Sequence, residues 1–227
     1  MKQLILIACL ALCFTNASAT HLVSGAITYL SDTSATPNPR KYYFTMTLIT
    51  NRESQADDPT VLIRMGDGNT ITVPRRPVVA NNNLTDTEIF KWEYTFAADG
   101  TYTIAWNGIN RDPGILNIEA PSHQFSFYIS SIVKVSSNNK SNRSPKFLRP
   151  DPLIAGAGQP LLYNLMTYDS DGDSLAYKLI APKCQNAAGN IIPVPGYTSP
   201  GNTFSCKNYD NTGEASFGLH IRDGQLI

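Results

Sequence analysis

The sequence predicts an all-β protein built as two consecutive antiparallel β-sandwich domains, the second incomplete, and three observations carry that reading. Short runs rich in β-branched and aromatic residues recur along the 227 residues. Turn formers separate the runs: Gly66-Asp67-Gly68-Asn69 and Ala98-Asp99-Gly100 supply the positive φ angles that tight hairpins require. No window repeats apolar residues at helical spacing.

Taken in chain order, Lys2 precedes the apolar run 4–14, and Asn16-Ala17-Ser18-Ala19 puts small residues at both positions a signal peptidase inspects. Residues 1–19 therefore read as an export signal cleaved after Ala19. The run is too short for a membrane helix, which needs about 20 apolar residues. A rival reading takes Leu6-Ile7-Ala8-Cys9 as a lipoprotein signal, although Cys9 leaves little apolar chain before it. The mature chain is expected to be secreted or displayed at the cell surface.

Strands are predicted over residues 22–30, 42–50, 60–65, 70–73, 89–96, 101–106 and 124–135. In the sixth run Tyr102, Ile104 and Trp106 share one face while Thr101, Thr103 and Ala105 share the other, the alternation of a half-buried antiparallel strand. Several short strands at regular spacing indicate an immunoglobulin-like sandwich. Residues 136–145 lack any large apolar side chain and mark a linker. The β pattern resumes at 161–167, 175–180 and 215–221 and stops at Gln225-Leu226-Ile227, in mid-strand by pattern. Further domains are expected downstream.

Eighteen basic residues balance eighteen acidic ones, so no strong field exists to recruit nucleic acid. Once Cys9 and Cys13 leave with the signal, Cys184 and Cys206 remain in a compartment where disulfides persist. They are expected to pair, which would stabilise the chain by about 2–4 kcal/mol; two unpaired thiols are the alternative. Two cysteines without partners at ligand spacing do not make a zinc site.

Asp169, Asp171 and Asp173 alternate just ahead of the run 175–180, and bare carboxylates so crowded would repel one another. A hard cation with a taste for oxygen relieves the crowding, so Ca2+ is the predicted ligand of Asp169, Asp171 and Asp173. An EF-hand loop is excluded, since Ser174 stands where that loop needs Gly and Ile180 where it needs a bidentate Glu. A solvated Asp/Gly turn that binds nothing is the competing reading. Asp67, between two glycines, is expected to bond its own backbone.

Catalytic patterns are weak. His21, His123 and His220 fall in unrelated contexts, and no nucleophile elbow, zinc-binding helix or phosphate loop occurs. Glu88 and Glu93 are the one carboxylate pair considered for glycoside hydrolysis, with surface placement on a strand as the default. Tyr42, Tyr43, Trp92, Tyr94, Tyr102 and Trp106 could line a sugar platform, although strand alternation sends most of them into a core. A non-enzymatic protein is expected.

His21-Leu22-Val23-Ser24-Gly25-Ala26-Ile27-Thr28-Tyr29 resembles the mature start of large surface proteins secreted by gliding-type Bacteroidetes through the type IX route, with departures at Ser24 and Ala26. Met65-Gly66-Asp67-Gly68-Asn69, Tyr94-Thr95-Phe96 and Asp99-Gly100-Thr101-Tyr102 are similar to the strand-turn pattern of polycystic-kidney-disease-like (PKD-like) domains. Asn110-Arg111-Asp112-Pro113-Gly114 resembles an insert recurring in that group, and Asn142-Arg143-Ser144-Pro145 with the segment 169–177 resembles a cadherin-like module. The resemblance implies a PKD-like domain at 20–135, a linker at 136–145 and a cadherin-like domain at 146–227, with Asn142 of the linker joining Asp169, Asp171 and Asp173 at a Ca2+ site in the junction. It also implies adhesion or matrix building at the cell surface, with a link to gliding motility and an unknown glycan or protein ligand. The alternative is a carbohydrate-binding accessory module of a secreted polysaccharide-degrading protein.

Overall fold

A computed structural model describes residues 22–54, 56–138, 142–148 and 162–200, and residues 206, 207, 214, 215, 222, 225 and 226. The expected signal segment 1–19 lies outside the described residues. The protein is all-β. Its first body comprises β1 (Leu22–Ser31), β2 (Lys41–Asn51), β3 (Thr60–Arg64), β4 (Thr70–Pro74), β5 (Val79–Ala80), β6 (Thr85–Thr95), β7 (Gly100–Gly108) and β8 (Phe127–Val135).

Two antiparallel sheets form, ordered β1-β2-β6-β5 and β4-β3-β7-β8. In immunoglobulin nomenclature this is A-B-E-D facing C′-C-F-G, with the chain changing sheets between β2 and β3, β4 and β5, and β6 and β7. Period-two side-chain alternation drives the packing. Along β2, Tyr42, Phe44, Met46 and Leu48 point into the core, while Tyr43, Thr45 and Thr47 face outward. Val61 and Ile63, Phe90, Ile104 and Trp106, and Val133 and Val135 complete the buried interior. Phe44 stacks on Trp92 at 5.3 Å between ring centroids and Phe96 on Tyr102 at 4.3 Å. Such offset pairs add about 0.5–1.5 kcal/mol beyond the area they bury.

The turn from β3 to β4 passes hard against β7. Gly66 sits at φ +79°, and a Cβ there would stand 2.6 Å from the Thr103 amide nitrogen. Only glycine accommodates both the left-handed backbone and the close approach.

The seven strands expected in this body are present within a few residues, and the two-residue β5 is an addition. The last one begins at Phe127 rather than residue 124, because a 3-10 turn at Ser122–Gln124 follows Pro121. The second half departs further. Residues 161–167 supply only the described two-residue strands β10 (Tyr163–Asn164) and the start of β11 (Thr167–Tyr168), and β9 (Lys146–Phe147) pairs with β11. The strand expected at 175–180 does not form: Leu175 and Tyr177 are half-buried between exposed neighbours, so the alternation is real, but no described segment offers them a ladder. Beyond it lie a hairpin of β12 (Lys183–Gln185) and β13 (Ile191–Pro193), and the short pairs β14 (Cys206–Lys207) with β15 (Glu214–Ala215) and β10 with β16 (Gln225–Leu226).

This second segment lies along the sandwich. Arg143, inside the expected linker, forms a β-bridge with Leu30 on the free edge of β1. Ser31 N–H donates to Asn142 C=O at 3.2 Å and Ser144 N–H to Tyr29 C=O at 2.9 Å. At the opposite end of the sandwich the β12–β13 hairpin packs on the long β7–β8 connection, where Cys184 and Val194 bury against Ile118.

Candidate functional site

Two joints hold the second segment to the sandwich, and both are built on an Asn-Arg dipeptide. The first contains the predicted calcium residues. Asp171 N–H donates to Asp169 Oδ1 at 2.8 Å, closing an Asx turn that leaves Asp169 buried. Asp171 Oδ2 then accepts the Arg143 backbone N–H at 2.6 Å, and its other oxygen lies 4.0 Å from Arg143 Nε. The guanidinium reaches on to Ser170 Oγ at 3.4 Å. Burial first, then the charges of Tyr42, Asp169 and Asp171, hold the Tyr29 hydroxyl above its ordinary pKa.

The crowding of these acids is thus relieved by N–H donors and an arginine. Asn142 enters through its backbone carbonyl, which accepts from Ser31, and Asp173 lies exposed beyond the turn. No group of three or more His, Cys, Asp or Glu residues is arranged to hold a metal ion among the described residues. A dication here would sit beside the Arg143 guanidinium and so meet repulsion.

The second joint turns on Arg111, which is buried although no acid pairs with it among the described residues. Its Nη2 donates to Lys183 C=O at 2.6 Å, and its guanidinium lies 5.2 Å from the centre of the Phe127 ring. Desolvation holds the Arg111 pKa below its usual value. The connection that carries it is braced internally: Ser122 Oγ donates to Asp112 C=O at 2.8 Å and accepts from Ile115 N–H. Gln185 N–H donates to Ser126 Oγ at 2.7 Å, while Glu119 N–H bonds Pro195 C=O and Thr198 N–H bonds Asn117 C=O, each at 3.0 Å. Cys184, beside Arg111, is buried with no disulfide partner among the described residues, and burial raises its pKa. The Cys206 side chain, its expected partner, lies outside the described residues.

Other sequence candidates fall elsewhere. Asp67 bonds Asn69 N–H at 3.0 Å and accepts the Tyr94 hydroxyl at 2.5 Å, so it serves its own turn as expected. Partial burial pushes its carboxyl up, but these hydrogen bonds outweigh that and hold it below the usual range. Glu88 and Glu93 face opposite sides of β6: Glu88 is buried and bonds Arg75 at 2.9 Å, whereas Glu93 pairs with Lys41 at 3.0 Å in solvent. Tyr42 and Trp106 are core residues, and Trp92, Tyr94 and Tyr102 pack against the core. Tyr43 alone of the six faces outward. His123 is half-buried on the β7–β8 connection; His21 and His220 lie outside the described residues.

Arg111 and Arg143 were not among the predicted site residues. Each was visible as part of an Asn-Arg pair, but the partners that give each a role, the Lys183 carbonyl and the Asp171 carboxylate, lie far along the chain. No described helix is long and apolar enough to cross a membrane. Comparison with protein-family models, curated proteins and solved structures yields no match to this chain.

Proposed function

We propose that this chain is an exported, non-enzymatic adhesion or matrix module in which the sandwich and the segment beside it transmit force as one unit. The observation that supports the reading is the double anchoring of that segment, at Arg143 by β1 and at Arg111 by the β7–β8 connection. The near-neutral charge balance and the export-type leader agree with it. The role is tested by labelling intact producer cells with antibody against the purified chain. Signal on unpermeabilised cells or in the medium is expected; signal confined to lysed cells would end the proposal.

A second reading places Ca2+ at the first joint, supported by Asp169 and Asp171 lying together beside the Asn142 backbone. The ion would have to displace Arg143 from Asp171. Calorimetric titration of calcium into the whole chain decides it, and an absence of heat leaves the arginine as the counter-charge. The Cys184–Cys206 bridge belongs to the same proposal of an exported chain, and peptide mapping without reduction tests it.

A further inference from the structure

The outward face of the β1-β2-β6 sheet carries two adjoining hollows that share Leu30, Tyr43 and Thr45. The larger, of about 440 Å³, runs from those residues to Arg76, Lys91 and Glu93. The smaller, of about 110 Å³, continues past Thr28 to Arg143, Lys146 and Tyr168. Strand registry makes this one trough: Leu30 lies opposite Tyr43 and Tyr43 opposite Glu93, while Thr28, Thr45 and Lys91 form the next row. With neighbouring strands about 4.8 Å apart, it crosses roughly 15 Å of sheet before reaching the docked segment.

Its charge is lopsided although the whole chain is balanced. Glu93 is paired with Lys41 at 3.0 Å, the nearby Asp171 is occupied by Arg143, and Asp169 is buried within its Asx turn. Arg76, Lys91 and Lys146 have no acidic partner within ion-pair distance among the described residues. Unmatched cations therefore stand at both ends, and between them lie the flanks of Tyr43 and Tyr168, with the threonine hydroxyls of β1 and β2. The Tyr168 side chain is half exposed, and Lys41 sits over the Tyr43 ring at 5.1 Å.

We propose that this trough binds an acidic polysaccharide, a chain of uronic-acid rings, with Tyr43 and Tyr168 against the ring faces and Arg76, Lys91 and Lys146 meeting the carboxylates. Aromatic faces supply apolar area with little loss of side-chain freedom, hydroxyls match sugar hydroxyls, and the Arg76 guanidinium fork and the Lys91 and Lys146 ammonium groups each pair with a carboxylate. The inference adds a ligand to the adhesion reading and depends on export only for access. Cell labelling tests export, and the titration below tests the trough.

The whole chain is titrated calorimetrically with oligomers of polyguluronate, and with neutral β-glucan and polyphosphate of similar length. Binding is expected for polyguluronate alone, weakened at least about tenfold by Lys91→Glu and by Tyr43→Ala, both outward-facing substitutions, with the thermal transition unmoved. Absence of polyguluronate binding overturns the proposal, as does equal binding of the neutral glucan. Binding that survives Tyr43→Ala while polyphosphate competes equally also overturns it, since that describes charge attraction without a sugar site.

Discussion

Replacing Asp171 by alanine removes the carboxylate that accepts the Arg143 backbone N–H at 2.6 Å. Hydrogen bonds to a charged acceptor contribute about 1.5–3 kcal/mol. The lower end applies here, because the freed amide can turn to water. The Arg143 Nε contact adds little: it spans 4.0 Å between side chains 42% and 22% exposed, and such surface pairs are worth about 0–1 kcal/mol before screening. The joint should therefore open more easily by about 1.5 kcal/mol, which is roughly tenfold in local equilibrium. Hydrogen exchange at the amides of Arg143, Ser144 and Ser31 should quicken by about that factor, since the last two belong to the same short ladder along β1. Asp171→Asn, which keeps an uncharged acceptor, should fall between. Asp67→Ala should leave all three amides alone, because its partners are Asn69 and Tyr94 in another turn. Unchanged exchange at Arg143 in Asp171→Ala would refute the clamp.

Gly66→Ala combines a left-handed backbone with a Cβ pressed on the Thr103 main chain, and it should lower global stability by about 2–4 kcal/mol in chemical denaturation. Asp99 is pushed down to about 2 by the backbone and side-chain hydrogen bonds of Ser137, with Arg40 assisting. Because that value is depressed, the stabilisation is complete above the ordinary value of 3.8 and is lost as pH falls toward about 2, so protection of the Ser137 amide should fade in that window. Arg111→Met should cost about 1 kcal/mol: the Lys183 carbonyl loses its donor, while relief of a desolvated charge offsets part of the loss. The amides of the β12–β13 hairpin should then exchange faster.

The strands of the first body were legible because each carries its own evidence, as in Tyr102, Ile104 and Trp106, all of which turn toward the core. Asp67 was legible for the same reason, since a turn residue finds its partners within a few positions. The segment 175–180 shows the limit: alternation reports which face of a chain could be buried, but a strand also needs a neighbour's backbone, which is a property of distant sequence. The acid cluster shows another. Crowded carboxylates announce that something must neutralise them, yet N–H groups and an arginine satisfy that demand as well as a cation, and the sequence does not rank these. Arg111 was hidden most deeply, its acceptor being 72 positions away.

The lengthwise docking changes what stiffness requires. β7 ends and β8 begins at the Leu22 end of the sandwich, whereas the chain leaves β8 at the Ser31 end and returns along β1. The two joints are thus separated by nearly the length of β8, whose nine residues span about 25–30 Å. Two anchors so far apart fix the orientation of the segment by leverage, and neither has to be strong alone. A hinge between domains placed end to end would concentrate bending at one point and would reward a metal there. Here the bending is resisted by hydrogen bonds at both ends, each of ordinary strength. It follows that Asp171→Ala or Arg111→Met alone should loosen the amides of its own joint and leave the overall shape nearly unchanged, and that the two together should loosen both sets of amides additively, because the Ser31–Asn142, Glu119–Pro195 and Thr198–Asn117 bonds and the Ile118, Cys184 and Val194 cluster still hold the segment. A marked change of small-angle scattering in either single variant would show that a single anchor had been carrying the load.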